Sequence, residues 1–158
     1  MAKAYFVTAS AYMKQNLFQR SEIAQLFIST MFQYRDSGRF AVHEYVVMPN
    51  HVHVVFSIDD GQSLGQGVQL LKGGFSHALG ASGFRMKAVW QPSYYDRRIR
   101  DAGEYLRIRN YIRSNPVRRG LAAEPEGFAF SSANPAADLD EVPEGLKRGT
   151  RKVCATPA

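Results

Sequence analysis

Three stretches of the chain are dense in β-branched and aromatic residues, and three others repeat their apolar residues at helical spacing. Residues 4–12 (AYFVTASAY), 40–48 (FAVHEYVVM) and 51–58 (HVHVVFSI) read as strands. Residues 89–99 (VWQPSYYDRRI) read as a fourth extended segment, broken by Pro92. Ile23, Leu26, Phe27 and Met31 share one face of a helix over 21–35, with Ser21 as its N-cap and Asp36-Ser37-Gly38 as its end. Leu70, Leu71, Phe75 and Leu79 mark a second helix over 64–79, capped by Ser63 and weakened by glycines at 65, 67, 73 and 74. Tyr105, Leu106, Ile108 and Ile112 mark a third, opened by Asp101 and stopped after Ser114 by Asn115-Pro116.

Only Pro49-Asn50 separates the second and third strands, so they pair as an antiparallel hairpin. The order β-α-β-β-α-β, then a helix, suits an α+β ferredoxin-like antiparallel sheet with helices packed on one face. From Gly120 onward Pro and Ala accumulate and the apolar periodicity fades, with a basic cluster at 147–152. The expected division is a folded domain over 1–133 and a flexible basic tail over 134–158.

The 158 residues, 45% hydrophobic and 12% aromatic, can build one core. Twenty Lys and Arg against fourteen Asp and Glu give +6 and an isoelectric point near 9.6, which permits an anionic partner without choosing one. Cys154 is the only cysteine, so no internal disulfide and no cysteine-based zinc site is expected. No run approaches the roughly 20 apolar residues of a membrane span, and the first residues lack a signal-peptide pattern. The expectation is a cytoplasmic protein with no membrane partner.

The sharpest local pattern is Met48-Pro49-Asn50-His51-Val52-His53. In a strand, residues i and i+2 face the same way, so His51 and His53 present two imidazoles side by side. Two surface histidines that bind nothing are the plain alternative. The apolar flanks YVV and VVF argue against it, because polar rings in a buried hairpin need a partner. Such a pair can share a divalent cation.

On the third helix Tyr111 and Asn115 lie four apart and share a face. A phenol with a pKa of about 10 is a poor nucleophile at neutral pH, and a cation on a phosphate would assist it. The amide oxygen of Asn115 is a candidate third ligand. A set of two imidazoles and an amide suits Mg²⁺ or Mn²⁺ by availability, although imidazole itself prefers Zn²⁺. Arg97, Arg98, Arg100, Arg107, Arg109, Arg113, Arg118 and Arg119 crowd this region. They are either a solvated face or phosphate contacts. Trp90, Tyr94 and Tyr95 interleave with them, either as core or as rings on which unpaired bases stack.

Taken in order, YVVMPNHVHVVF, VWQPSYYDRRIRD and NYIRSNPVRRGL resemble the single-tyrosine transposases that carry an HUH motif, with Val52 as the apolar U residue. Within that superfamily the chain looks like the REP-associated branch, and the likeness extends over residues 4–133, including the opening YFVTASAYMKQNLFQ and the later GFAFSSA. The resemblance implies a ferredoxin-like sheet with the histidines on a central strand, and single-stranded DNA, often beside a hairpin, as substrate. It implies Tyr111 as nucleophile, forming a 5′-phosphotyrosine link and freeing a 3′-OH. It implies His51, His53 and Asn115 around a divalent cation. The charge cluster, apart from the resemblance, offers Arg97, Arg98, Arg100, Arg107, Arg113, Arg118, Arg119 and Trp90 as DNA contacts. Relatives often carry a histidine or aromatic residue two after the tyrosine, where this chain has Arg113, and residues after Ala133 match no motif. A homodimer is open, since insertion-sequence relatives share active sites between two chains. Two other readings remain at this point: a replication or mobilisation nicking enzyme of the same superfamily, and a DNA- or RNA-binding regulator with an inert metal site.

Overall fold

The β-branched runs become the strands of one sheet because each alternates between two buried faces. In the computed structural model, which describes residues 1–147, the strands are β1 (Lys3–Ser10), β2 (Ala41–Met48), β3 (His51–Ile58) and β4 (Tyr95–Ile99). They lie in the order β2-β3-β1-β4, and every neighbouring pair is antiparallel. The long helices are α1 (Ser21–Asp36), α2 (Leu64–Ala81) and α3 (Ala102–Arg118). This is the expected ferredoxin-like α+β arrangement. Among the described residues, no helix is long and apolar enough to cross a membrane.

Helices α1 and α2 cover one face. Val7 and Ala9 of β1, Val42, Tyr45 and Val47 of β2, and Val52, Val54 and Phe56 of β3 meet Phe27, Met31, Phe75 and Leu79 there. The third helix crosses the opposite face. Ile108 and Ile112 of α3 pack on Phe6, Val46, Met48 and Val55 in a smaller core. A bulge between Val42 and Glu44 inserts His43 into β2.

Helix α2 begins at the N-cap expected at Ser63, which the structure completes into a capping box. Ser63 Oγ accepts from the Gln66 amide at 3.1 Å, and Gln66 Oε1 accepts from the Ser63 amide at 3.0 Å. Its helix-weakening glycines have a packing reason at two positions. A Cβ at Gly67 would stand 2.7 Å from the Phe56 ring, and Gly74 lies against the Tyr34 ring. Ser21, by contrast, is the first helical residue of α1 rather than its cap. Arg20 takes the cap position with extended backbone and no side-chain capping bond.

Two expectations drawn around prolines are corrected. Helix α3 does not stop at Ser114 but runs through Pro116 to Arg118. Proline removes one helical donor, yet Asn115 and Pro116 are both buried, and the amides of Arg119 and Leu121 close the end on the carbonyls of Asn115 and Pro116. Burial holds the turn where local propensity would release it. The extended segment over 89–99 is a strand only at Tyr95–Ile99, and Trp90 makes an isolated bridge to Ala11.

Residues 130–140, of which those from 134 onward fall in the expected flexible tail, pack along β2. The Phe130 carbonyl accepts from the Val47 amide at 2.8 Å, Ser132 donates to the Tyr45 carbonyl at 2.8 Å, and Asp140 donates to the Val42 carbonyl at 2.8 Å. Asp140 Oδ2 accepts from the Val42 amide at 2.9 Å, and Arg35 reaches both Asp138 and Asp140. Leu146 is buried in the smaller core. Composition concealed this because the strap binds chiefly through its backbone. Apart from Lys147, the basic cluster lies outside the described residues.

Candidate active site

Register builds the site. Thr8 on β1 pairs with His53 on β3, and Ser10 pairs with His51, so all four side chains share the α3 face. Val46 flanks His53 from the other side, which places His53 in the middle of the sheet. The imidazole centroids of His51 and His53 are 4.8 Å apart, and the Tyr111 ring stands 5.5 Å from that of His53. Tyr111 is 44% exposed. It lies against Phe6, with the Arg118 guanidinium 4.6 Å above its ring. Arg118 also donates to the Tyr111 carbonyl at 3.2 Å and to Ser114 Oγ at 2.6 Å.

A cavity of about 250 Å³ opens at this point, lined by His51, His53, Tyr111, Arg119, Lys14, Thr8, Ser10 and Asn50. Each histidine has its Nδ1 held by a neighbouring side chain. His51 Nδ1 is 2.7 Å from Asn50 Oδ1, a carbonyl oxygen that can only accept, so the proton sits on Nδ1 and Nε2 carries the lone pair. His53 Nδ1 is 2.7 Å from Thr8 Oγ1, and its Nε2 is buried without a partner. Burial lowers His51 to about 4, helped by the charges of Arg119 and Lys14. Burial lowers His53 to about 3, helped by His51, Arg119 and Arg118. Both rings are therefore neutral at pH 7, the state that binds metal.

Asn115 is buried one turn beyond Tyr111, and its Nδ2 has no partner. It does not line the cavity. Among the described residues, no group of three or more His, Cys, Asp or Glu gathers as a metal site. Any cation here would rest on the two imidazoles, with an amide, water or phosphate completing its shell.

The arginines divide. Arg119 lines the cavity and Arg118 covers Tyr111. Arg97 and Arg107 line a second cavity of about 240 Å³ on the other side of Tyr111, with Phe6, Ile108 and Glu104, and Arg97 pairs with Glu104 at 3.2 Å. Arg98 registers with Tyr5 and so lies on the opposite face, and Arg100 is exposed just past β4. Two of the residues read as DNA contacts have partners inside the chain. Arg113 grips Glu44, which is fully buried on β2, at 2.6 and 3.1 Å, and Arg109 adds a contact at 3.3 Å. These pairs pin α3 to the sheet. Trp90 packs against Phe18, Phe27 and Phe75 and donates its Nε1–H to the Lys72 carbonyl at 2.9 Å, so its ring belongs to the core. Sequence reasoning missed Thr8, Ser10, Lys14 and Glu44. Their places depend on strand register and one loop, and neither leaves a local signal; Asn50 reads only as turn punctuation.

A small antiparallel sheet carrying paired histidines, with a tyrosine helix laid across it, defines a class of DNA-processing transposase folds. The chain belongs to the IS200-like transposase family, whose model matches residues 2–115. It is similar to the REP-associated tyrosine transposase of Escherichia coli K12, 29% identical over 94 residues that cover 59% of this chain. That match spans only 54% of the relative's own length. An uncharacterized protein of Haemophilus influenzae is 29% identical over 150 aligned residues, covering 72% of this chain and 79% of that one. Among solved structures, the chain resembles a REP-associated tyrosine transposase bound to a REP hairpin, with a TM-score of 0.70 at 21% identity, covering 93% and 89% of the two chains. It also resembles a putative transposase from Deinococcus radiodurans R1, with a TM-score of 0.57 at 17% identity, covering 71% and 89%. The REP-associated branch suggested by the motifs is the one that the Escherichia coli relative and the hairpin-bound structure represent.

Proposed function

We propose that the chain cuts and rejoins single-stranded DNA through Tyr111, as a metal-assisted transesterase. The observation that carries this reading is the single cavity on which His51, His53 and the exposed Tyr111 converge. Nucleophile and imidazoles belong to one chain, so the reading needs no second copy to complete the site.

The residues present fit a divalent cation. His53 Nε2 is buried without a partner, His51 Nε2 carries a lone pair, and both rings are neutral at pH 7. His51 and His53 would hold Mg²⁺ or Mn²⁺, with the Asn115 amide as the remaining protein ligand. When bound, the cation polarises a phosphoryl oxygen and neutralises developing charge. The chain's own residues do the rest. Tyr111 Oη attacks the phosphorus, the Tyr111–phosphorus bond forms, and the bond to the 3′ oxygen breaks. One proton passes from the phenol, through solvent, to the departing 3′ oxygen. One phosphodiester replaces another, so a second 3′-OH can reverse the step and join strands. Thr8 and Asn50 hold the imidazoles in orientation. The Glu44 pairs hold α3, and with it Tyr111, against the sheet. Arg107, Arg118 and Arg119 are exposed around Tyr111 and suit the DNA backbone. A single strand beside a hairpin is the proposed target, in keeping with the hairpin bound to the solved relative.

The test is a labelled single-stranded oligonucleotide carrying a hairpin, incubated with Mg²⁺ or Mn²⁺ and resolved on a denaturing gel. The expected result is a covalent protein–DNA adduct that Tyr111→Phe abolishes. His53→Ala should lose the adduct and keep most DNA affinity, because affinity comes mainly from phosphate contacts. An adduct that persists in Tyr111→Phe, or no adduct from the wild type, overturns the reading.

A further inference from the structure

The loop after β1 holds two consecutive non-glycine residues in the left-handed region, Met13 and Lys14, both at φ 52°. L-residues visit this region reluctantly and then usually singly. Nothing buried offsets the conformation, since Met13 is 75% exposed and the turn at 12–14 buries no side chain. It is imposed from both flanks. Ala11 donates to the Asn50 carbonyl at 2.9 Å, Tyr12 donates to the Val89 carbonyl at 2.8 Å, and Lys14 donates to the Ala11 carbonyl at 2.9 Å. Asn50 is the residue that orients His51, so the strained turn is tied directly to the histidine hairpin. Strain of this kind persists where the surroundings over-determine it, and it clusters at functional sites.

The strained turn delivers Lys14 to the cavity that holds His51, His53 and Tyr111. Among the described residues, Lys14 and Arg119 are the only charged side chains lining that cavity, and no carboxylate lines it. Neither takes part in an ion pair among the described residues, whereas Arg20, Arg35, Arg97, Arg109 and Arg113 all do. Two uncompensated cations facing a tyrosine are what a reacting phosphodiester requires.

We propose that Lys14 is a catalytic residue, its ammonium contacting a non-bridging oxygen of the scissile phosphate beside Arg119. The assignment rests on the tyrosine-transfer reading. As Tyr111 Oη bonds to phosphorus and the 3′ oxygen departs, negative charge accumulates on the non-bridging oxygens. Lys14 meets that charge without exchanging a proton, and the balance of the step is unchanged. A cation placed in advance acts where charge develops, and so acts more on the rate than on ground-state binding.

The experiment measures single-turnover adduct formation and single-strand affinity in the full chain for Lys14→Met, which keeps a long apolar stem and removes the charge, and for Lys14→Arg. The expected result for Lys14→Met is adduct formation slower by about 100-fold with Kd changed less than about threefold. Lys14→Arg should stay within about tenfold of the wild type, because charge rather than shape is required. Circular dichroism and Tm should match the wild type, since the side chain is exposed. A Lys14→Met chain that forms adduct at the wild-type rate overturns the assignment alone. Equal slowing in Lys14→Met and Lys14→Arg also overturns it. A wild type that forms no adduct overturns the underlying tyrosine reading, and Lys14 falls with it.

Discussion

The two faces of the sheet are built from the same strands and do different work. On the α1/α2 side, Phe18, Phe27, Phe75 and Trp90 interlock edge to tilt, with centroids 5.5 to 6.0 Å apart, over a floor of valines. On the α3 side the apolar cluster, with Phe6, Val46, Met48, Val55, Ile108 and Ile112, shares the face with polar side chains. Thr8, Ser10, His51, His53, Asn115 and the Glu44–Arg113 pair lie on that same face. One face supplies stability by volume. The other keeps polar atoms in place, two of them without partners, and depends on the first for its rigidity.

The largest effect separating the faces should come from Phe75→Ala. It empties the centre of the aromatic cluster and should cost about 3–5 kcal/mol of stability by denaturant unfolding, while the folded fraction keeps its adduct-forming rate. Loss of rate in the folded fraction would mean that the faces are not separable. Next is Arg113→Met, which strips the buried Glu44 of its bidentate partner. Because Arg109 remains and Arg113 is partly exposed, the expected loss is about 2–3 kcal/mol, below that of a sealed pair. Adduct formation should fall as well, because α3 loses its clamp; a stability loss with no rate change would show that Tyr111 is positioned without Glu44.

Taken group by group, the smallest effect is that of pH on the metal-free chain. Burial holds His43, His51 and His53 below their ordinary range, while the unfolded chain takes up these protons near pH 6.5. Their contribution is therefore complete above about pH 6.5 and declines as pH falls below it, toward about 4 for His51 and about 3 for His53. Tm should drop by several degrees between about pH 7 and about pH 5, and His43→Gln should flatten part of the slope. A level Tm across that interval would contradict the buried, neutral histidines.

The α1/α2 face was the legible one. Its residues recur at spacings of two and of three to four, and these give strands and helices directly, down to the Ser63 cap. The histidine pair was legible because two residues apart on a strand is a geometric statement. What escaped depends on partners far away in sequence. Pro116 reads as a stop because the tertiary contacts that bury it are invisible locally. Arg113 reads as a free cation because its carboxylate lies 69 residues earlier on another strand. Trp90 sits among exposed-looking aromatics and arginines, yet packs on phenylalanines from three separate segments. Lys14 has no sequence signal, since only the backbone of its turn reveals where it points.

The strap formed by residues 130–140 has a consequence for self-association. The outer edge of a sheet is an open row of donors and acceptors, ready to recruit a foreign strand. Here the β2 rim is already spoken for at Val42, Tyr45 and Val47. The opposite rim is five residues long and carries Asp96, Arg97 and Arg98. Two copies therefore have little means of fusing their sheets into one ribbon, and any pairing between them would have to proceed through helices, loops or a shared DNA strand.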